Sequence, residues 1–337
     1  MFSCAHPKYT LSSLDEMGLD KWQASFRSEL RSKLGIPVIE ASVQEMNFKP
    51  SATFLRREDD GTMIREWWEM TTEPDVVMKY VVMKPKKMEG DKAPLMIATH
   101  GHSNSTEISA GIYRNEHERS SGEDGERNVG VQAVQHGFIA IAPAMRGFGD
   151  TRHPNDIAEN NNSSCLDLYQ RDVLVGRTPV GDRVWDMMRL IDWAFENLPV
   201  DTDNVVISGN SGGGTVSIYA AAVEPRITMS VPGSAFCTFE RSIGFMRHCA
   251  CNYIPGIMTL GDMGEIAGLI APRPFCAVNG KKDDIFLIDG TQKAIEVARK
   301  IYDKAGAADN CSLYIGPEGH RYYKDGAWEF ILSHLNK

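Results

Sequence analysis

The apolar positions along the chain follow two periods. In "SLDEMGLDKWQASFRSELRSKLG", Leu14, Met17, Leu19, Trp22, Phe26, Leu30 and Leu34 recur at helical spacing. This predicts one or two amphipathic helices that close at Gly35, ahead of Pro37. "IREWWEMTTEPDVVMKYVVMKP" is rich in β-branched and aromatic residues and predicts two strands around "TTEPD". Beyond it, short apolar runs alternate with helical periods. "APLMIATHG", "FIAIAPA", "NVVISGN", "ITMSVPGSA", "RPFCAVNG" and "CSLYIGPEG" predict strands. "GVQAVQHG", "GDRVWDMMRLIDWAFENLP", "GGTVSIYAAAVE", "TQKAIEVARKIYDKAG" and "DGAWEFILSHL" predict helices. In the second of these, Val184, Met187, Met188, Ile191, Ala194 and Leu198 share one face, with Asp182 placed to cap the start and Pro199 to end it. The alternation predicts an α/β fold with a mainly parallel central sheet covered by helices on both faces. Residues 1–60 read as an N-terminal helical extension packed on the core, and residues 61–337 as the α/β domain with its leading hairpin. No internal repeat is present.

Composition adds exclusions. The chain has 337 residues, 42% hydrophobic and 24% charged, which is ordinary for a globular protein. Its formal net charge is −9 and no basic stripe occurs, so nucleic acid is not an expected partner. No run of about 18 apolar residues marks a membrane span. The start "MFSCAHPKYTLSSLDEMG" lacks the basic-then-apolar order of a secretory signal, so a cytoplasmic location is expected. The seven cysteines, Cys4, Cys165, Cys237, Cys249, Cys251, Cys276 and Cys311, are scattered, which suits reduced thiols. "HCACN" sets His248 beside Cys249 and Cys251, but the sequence offers no further ligands at workable spacing, so no metal is expected. Two long polar loops, "RNEHERSSGEDGERN" and "RHPNDIAENNNSSC", are candidates for a lid or a substrate wall, against the plainer reading of solvated loops.

Candidate chemistry centres on "GNSGG", Gly209 to Gly213, between a predicted strand and an Ala-rich predicted helix. In that context Gly-x-Ser-x-Gly makes Ser211 a nucleophile on a tight turn, with small neighbours where the backbone is crowded. A serine needs a base, and His248, His320 and His334 are the histidines that follow it. His334 lies in the terminal predicted helix and His248 in a cysteine-rich stretch. His320, in "GPEGHRYY", is on a glycine-opened loop after the last predicted strand, so it is the expected base. Asp283 and Asp284 follow a buried strand in "FCAVNGKKDDIF". Asp283 is the expected acid, and its neighbour Asp284 is the alternative. The backbone amides of Gly212 and of His102, in "THGHSN", are the candidate oxyanion donors. A rival reading takes His100 and His102 as a metal-binding pair.

Together these residues resemble the α/β-hydrolase superfamily, and more narrowly its bacterial acetyl xylan esterase-like and dienelactone hydrolase-like serine esterases. The resemblance is carried by "THGHSN", "AMRGFGDTR", "GRTPVGDRVWDMMRLIDW", "SGNSGGGT", "HCACNYIPGI", "IAGLIAPRPF", "NGKKDDIF" and "GPEGHRYY", spread over most of the chain. It implies an α/β-hydrolase fold and a carboxylesterase with Ser211, Asp283 and His320 as its triad and no metal or organic cofactor. It implies a small-molecule or oligosaccharide ester substrate, with acetyl esters of sugars as the first expectation. It also implies that Arg146, in "AMRGFGDTR", lines or supports the substrate side, against the reading of a buried structural arginine. Relatives often have Asp-Pro where this chain has Asp283 and Asp284, which leaves the acid open between the two. A peptidase or lactone hydrolase on the same fold, and a binding protein without activity, are the other readings. Self-association is left open.

Overall fold

The runs of β-branched and aromatic residues are hydrogen-bonded into one nine-stranded sheet in the computed structural model, which describes residues 5–102 and 105–336. In chain order the strands are β1 (Ser51–Asp59), β2 (Met63–Glu73), β3 (Val76–Pro85), β4 (Ala93–Thr99), β5 (Ile139–Pro143), β6 (Val200–Asn210), β7 (Met229–Gly233), β8 (Phe275–Gly280) and β9 (Cys311–Gly316). Their order across the sheet is β1-β2-β3-β5-β4-β6-β7-β8-β9. The ladders from β1 to β5 are antiparallel, and those from β5 through β4 to β9 are parallel.

Among the described residues thirteen α-helices accompany the strands: α1 (Leu11–Met17), α2 (Leu19–Leu34), α3 (Ile36–Glu45), α4 (Thr106–Ser109), α5 (Glu116–Gly122), α6 (Val129–Gln135), α7 (Pro154–Ala158), α8 (Cys165–Leu174), α9 (Pro179–Asn197), α10 (Gly212–Val223), α11 (Met263–Gly268), α12 (Ile288–Lys304) and α13 (Lys324–Ser333). Strand alternation divides the core in two. Leu95 and Ile97 of β4 join the layer built with Val184 of α9, Ile218 of α10 and Ala298 of α12. Met96 and Ala98, pointing the other way, join Ala133 of α6 and Trp328 of α13. This is an α/β-hydrolase fold.

Two local readings of the sequence are corrected, that of residues 51–59 and that of the α9 cap, while Gly35 closes α2 as its spacing predicts. Gly35, at φ 83°, ends α2, but helical structure resumes at once in α3, with Pro37 in its first turn, where a missing N–H costs nothing. β1 escapes pattern reading because almost every residue in it is exposed, so no apolar alternation marks it, yet it is paired with β2 as part of the sheet. The start of α9 is capped by Thr178, whose hydroxyl accepts from the Gly181 amide at 3.0 Å. Asp182 is inside the helix and ion-paired.

The topology places the working end. The chain leaves β4 for β5 on one side and returns to β6 on the other, so the strand order reverses beside β4. In open α/β sheets that reversal opens a crevice at the carboxyl ends of the strands. β4 ends at Thr99 and β6 at Asn210, and these ends flank it. No described helix is long and apolar enough to cross a membrane.

Candidate active site

Ser211 is the one residue between β6 and α10, and its backbone is in a sparsely populated conformation, φ 58° and ψ −121°. Such a conformation in a residue with a side chain costs roughly 1–3 kcal/mol and persists only where the surroundings enforce it. The enforcement comes from close backbone packing. A Cβ on Gly209 would lie 2.1 Å from the Thr99 carbonyl oxygen, and one on Gly213 would lie 2.4 Å from the same oxygen. The Ser211 amide donates to the Gly233 carbonyl at 2.8 Å. The Thr99 hydroxyl is 2.9 Å from the Gly213 carbonyl oxygen and 3.1 Å from that of Ser208, bracing both sides of the turn. Among the described residues the Ser211 hydroxyl has no hydrogen-bond partner. Nucleophile–base hydrogen bonds are often loose before substrate binds.

Asp283 and His320 come together from the loops that follow β8 and β9. His320 Nδ1 lies 3.0 Å from Asp283 Oδ2 and 3.2 Å from Oδ1. Asp283 is buried, and its Oδ1 also accepts from the amides of Ile285 and Phe286, each at 2.9 Å. Burial pushes the Asp283 carboxyl up, but the His320 hydrogen bond and charge, with those two amides, bring it below its ordinary value. The neighbouring Asp284 is exposed. The His320 loop is tied to the Ser211 turn: Ser234, beside Gly233, donates to the Arg321 carbonyl at 3.0 Å, and the Tyr322 hydroxyl is 2.8 Å from that of Ser208. Phe286 stacks on His320 with ring centroids 5.9 Å apart.

The remaining histidines have other surroundings. His334 follows α13, stacked on Phe330, with Nδ1 2.9 Å from the Phe330 carbonyl oxygen. His248 packs edge-on against Phe286, and burial lowers its pKa to about 4. His100 is buried; its Nε2 accepts from the Met145 amide at 3.1 Å and its Nδ1 faces the Gly101 carbonyl at 3.1 Å. Burial lowers the His100 pKa to about 4, so the ring is neutral near pH 7 and both nitrogens are already used. That occupation argues against a metal site shared by His100 and His102.

Gly101 brings the loop after β4 against the Ser211 turn. A Cβ there would lie 2.4 Å from the Asn210 carbonyl oxygen and 3.2 Å from the Gly212 nitrogen. The two candidate oxyanion amides, Gly212 and His102, therefore belong to segments in direct contact. Ser103 and Asn104 of "THGHSN" lie outside the described residues. Gly101→Ala is expected to force these segments apart, costing about 1–3 kcal/mol, to be read by urea denaturation together with a fall in kcat.

Arg146 is corrected. It is buried, and its guanidinium faces Asp186 at 2.6 and 2.7 Å, Glu73 at 2.7 Å and Asp182 at 3.2 Å. Its charge is used up holding α9 to β2 rather than offered to a cleft. Arg146→Met is expected to destabilise the fold by about 3–5 kcal/mol, because buried Asp186 loses its cation while Glu73 and Asp182 keep only Arg177. Chemical denaturation measures this.

A cleft of about 640 Å³ opens beside His102, walled by β2, β3 and the two long polar loops. Trp67, Trp68 and Phe148 supply aromatic surface, and Arg114 and Asn162 from the loops supply polar groups. Both loops are thus walls, partly ordered as α5 and α7. Ser211, Asp283 and His320 are not among the cleft's lining residues.

Residues 75–252, more than half of the chain, match the family described as X-Pro dipeptidyl-peptidase (S15 family). The chain belongs to this family. The matched region contains Ser211 and ends before Asp283 and His320. YtaP, a proposed hydrolase of Bacillus subtilis (strain 168), is 26% identical over 244 residues, which cover 71% of this chain and 76% of that protein. 4-O-methyl-glucuronoyl methylesterase 1 of Wolfiporia cocos (strain MD-104) is 24% identical over 213 residues, 55% of this chain and about half (52%) of that protein. Among solved structures, a proposed acetyl xylan esterase from Bacteroides fragilis NCTC 9343 superposes with a TM-score of 0.71 at 18% identity, covering 97% of this chain and 81% of that one. At that identity the likeness speaks for the fold.

One cluster was not legible from spacing. His102, Cys165, Cys249 and Cys251, from the β4 loop, the start of α8 and the "HCACN" segment, place their ligand atoms within 4.8 Å of one another. The expectation that too few ligands surround Cys249 and Cys251 is therefore corrected: the missing two come from positions more than 80 residues upstream. His248, their sequence neighbour, is not in the group.

Proposed function

We propose that this member of the S15 family is a serine carboxylesterase acting on esters of sugars. The observation that carries the reading is the strained Ser211 turn, linked through Gly233 and Ser234 to a loop on which His320 is held by buried Asp283. In this reading His320 takes the Ser211 proton through Nε2 as the oxygen attacks the ester carbonyl. Asp283 fixes the ring with its proton on Nδ1 and stabilises the imidazolium that forms. The Gly212 and His102 amides receive the oxyanion, with Gly212 at the N-terminus of α10, where unpaired amides favour negative charge. His320 then protonates the leaving alcohol. A water, activated by the same ring, releases the acid from Ser211 and restores the enzyme.

The cleft beside His102, which the triad residues themselves do not line, offers a surface for the sugar part of an ester. Aromatic surface suits the C–H face of a sugar ring, and the polar loop residues suit its hydroxyls. The sugar-ester hydrolases among the relatives agree with this. Acetyl is the acyl group we propose first, with methyl esters of uronic acids beside it. The family match favours a second reading, a peptidase on the same fold, since a fold does not dictate the bond cleaved. A panel of acetylated xylo-oligosaccharides, methyl glucuronates, lactones and X-Pro p-nitroanilides separates them. Turnover of the sugar esters is expected; turnover of the anilides alone would replace the esterase reading with the peptidase one.

A further inference from the structure

We propose that His102, Cys165, Cys249 and Cys251 form a structural zinc site that fastens three loops beside the Ser211 turn. The distances resemble those of a tetrahedral site. With Zn–S about 2.3 Å and Zn–N about 2.0–2.1 Å, the edges of a regular tetrahedron are about 3.8 Å between sulfurs and about 3.5 Å between sulfur and nitrogen. Here His102 Nε2 lies 3.2 Å from Cys251 Sγ and 3.8 Å from Cys165 Sγ, and the Cys249 and Cys251 sulfurs are 3.4 Å apart. Residues 250–252 form a single 3-10 turn, and its tightness lets two cysteines only two positions apart reach one point.

Charge supplies a second, independent observation. Arg183 is 2% exposed, and among the described residues no carboxylate is paired with it. Its guanidinium donates to the Arg146 carbonyl at 2.8 and 3.2 Å and to Cys165 Sγ at 3.4 Å. A buried cation needs a counter-charge. Three thiolates and one histidine around Zn²⁺ carry a net charge of −1, and Arg183 balances it. Asn252, also buried, directs its amide at Cys251 Sγ from 3.6 Å and accepts from Thr215 through its other end at 3.2 Å. Hydrogen bonds of this kind orient metal ligands.

Four protein ligands close the coordination sphere, so the site is structural and leaves no position for substrate. With Nε2 on the metal, His102 carries its proton on Nδ1. That edge of the ring fills the space beside Gly212, 2.9 Å from where a Cβ would stand. The metal thus fixes the residue whose amide is the second candidate oxyanion donor, and the inference does not depend on what Ser211 attacks.

The test is metal content and coordination, read without an activity assay. The full chain, produced with zinc in the medium, is expected to hold one zinc per chain by mass spectrometric elemental analysis. Reconstitution with Co²⁺ is expected to give the intense d–d bands of tetrahedral cobalt and thiolate-to-cobalt charge transfer. Cys249→Ser, at a half-exposed position, and His102→Ala are expected to lose the metal while circular dichroism shows a folded chain. Cys237→Ser, a buried cysteine elsewhere, is expected to keep it. Folded wild-type protein without stoichiometric metal, its thiols all counted as free by Ellman's reagent once the chain is denatured, would overturn the proposal. A disulfide among Cys165, Cys249 and Cys251 in protein that takes up no Co²⁺ would overturn it equally.

Discussion

Ser211→Ala is expected to remove hydrolysis of p-nitrophenyl acetate, lowering kcat by on the order of 10⁵- to 10⁶-fold. The size follows from the role. Without the hydroxyl no acyl-enzyme forms, and what remains is the modest assistance of the oxyanion amides and of binding. Stability is expected to stay close to that of the parent, because alanine meets the same backbone strain at φ 58° and the Ser211 hydroxyl holds no partner among the described residues. Steady-state kinetics and thermal unfolding on the same preparation check both halves. An alanine variant that is fully active and fully folded would remove Ser211 from the reaction.

Asp283→Asn is expected to lower kcat by about 10⁴-fold with little change in KM. The asparagine can offer its NH₂ to His320 Nδ1, which then accepts and leaves the proton on Nε2, where it cannot take the serine's. Asp284→Asn is expected to change stability by no more than about 0.5 kcal/mol and to leave kcat intact, since Asp284 is exposed. The pair of variants decides between the two aspartates. The substitution also changes acid stability. The Asp283 carboxyl titrates below its ordinary value in the folded chain, so the folded state binds its proton less readily than the unfolded one. Its stabilising contribution is complete above the unfolded value of about 3.9 and is lost as pH falls through the lower, folded value. The asparagine variant is expected to lack that contribution, and denaturant midpoints measured from neutral pH downward would converge with those of the parent.

Much of this was legible because local pattern and global fold agree. The β6–Ser211–α10 passage announces itself through β-branched residues, then glycines, then alanines, and each has a cause in the structure: Gly209 and Gly213 pack against the Thr99 carbonyl. Asp283 and His320 were marked as candidates by their position after predicted strands, and the sheet sets the ends of β8 and β9 side by side. What escaped had no local signal. β1 is exposed along nearly its whole length, so burial imprinted no period on it. Arg146 sits in a stretch that resembles a substrate wall, but Asp182 and Asp186, one helical turn apart on α9, claim it, and only the packing of α9 on the sheet reveals this. The cysteine cluster depends on three segments far apart in the chain, where spacing rules developed for adjacent ligands have nothing to read.

The central claim, that the hydroxyl of Ser211 is the nucleophile, is tested most directly by labelling the folded protein with a fluorophosphonate and mapping the adduct by peptide mass spectrometry. One adduct per chain, on Ser211, with loss of esterase activity in proportion to labelling, is the predicted result. An active, folded protein that takes up no label, or takes it up on a different residue, would contradict it.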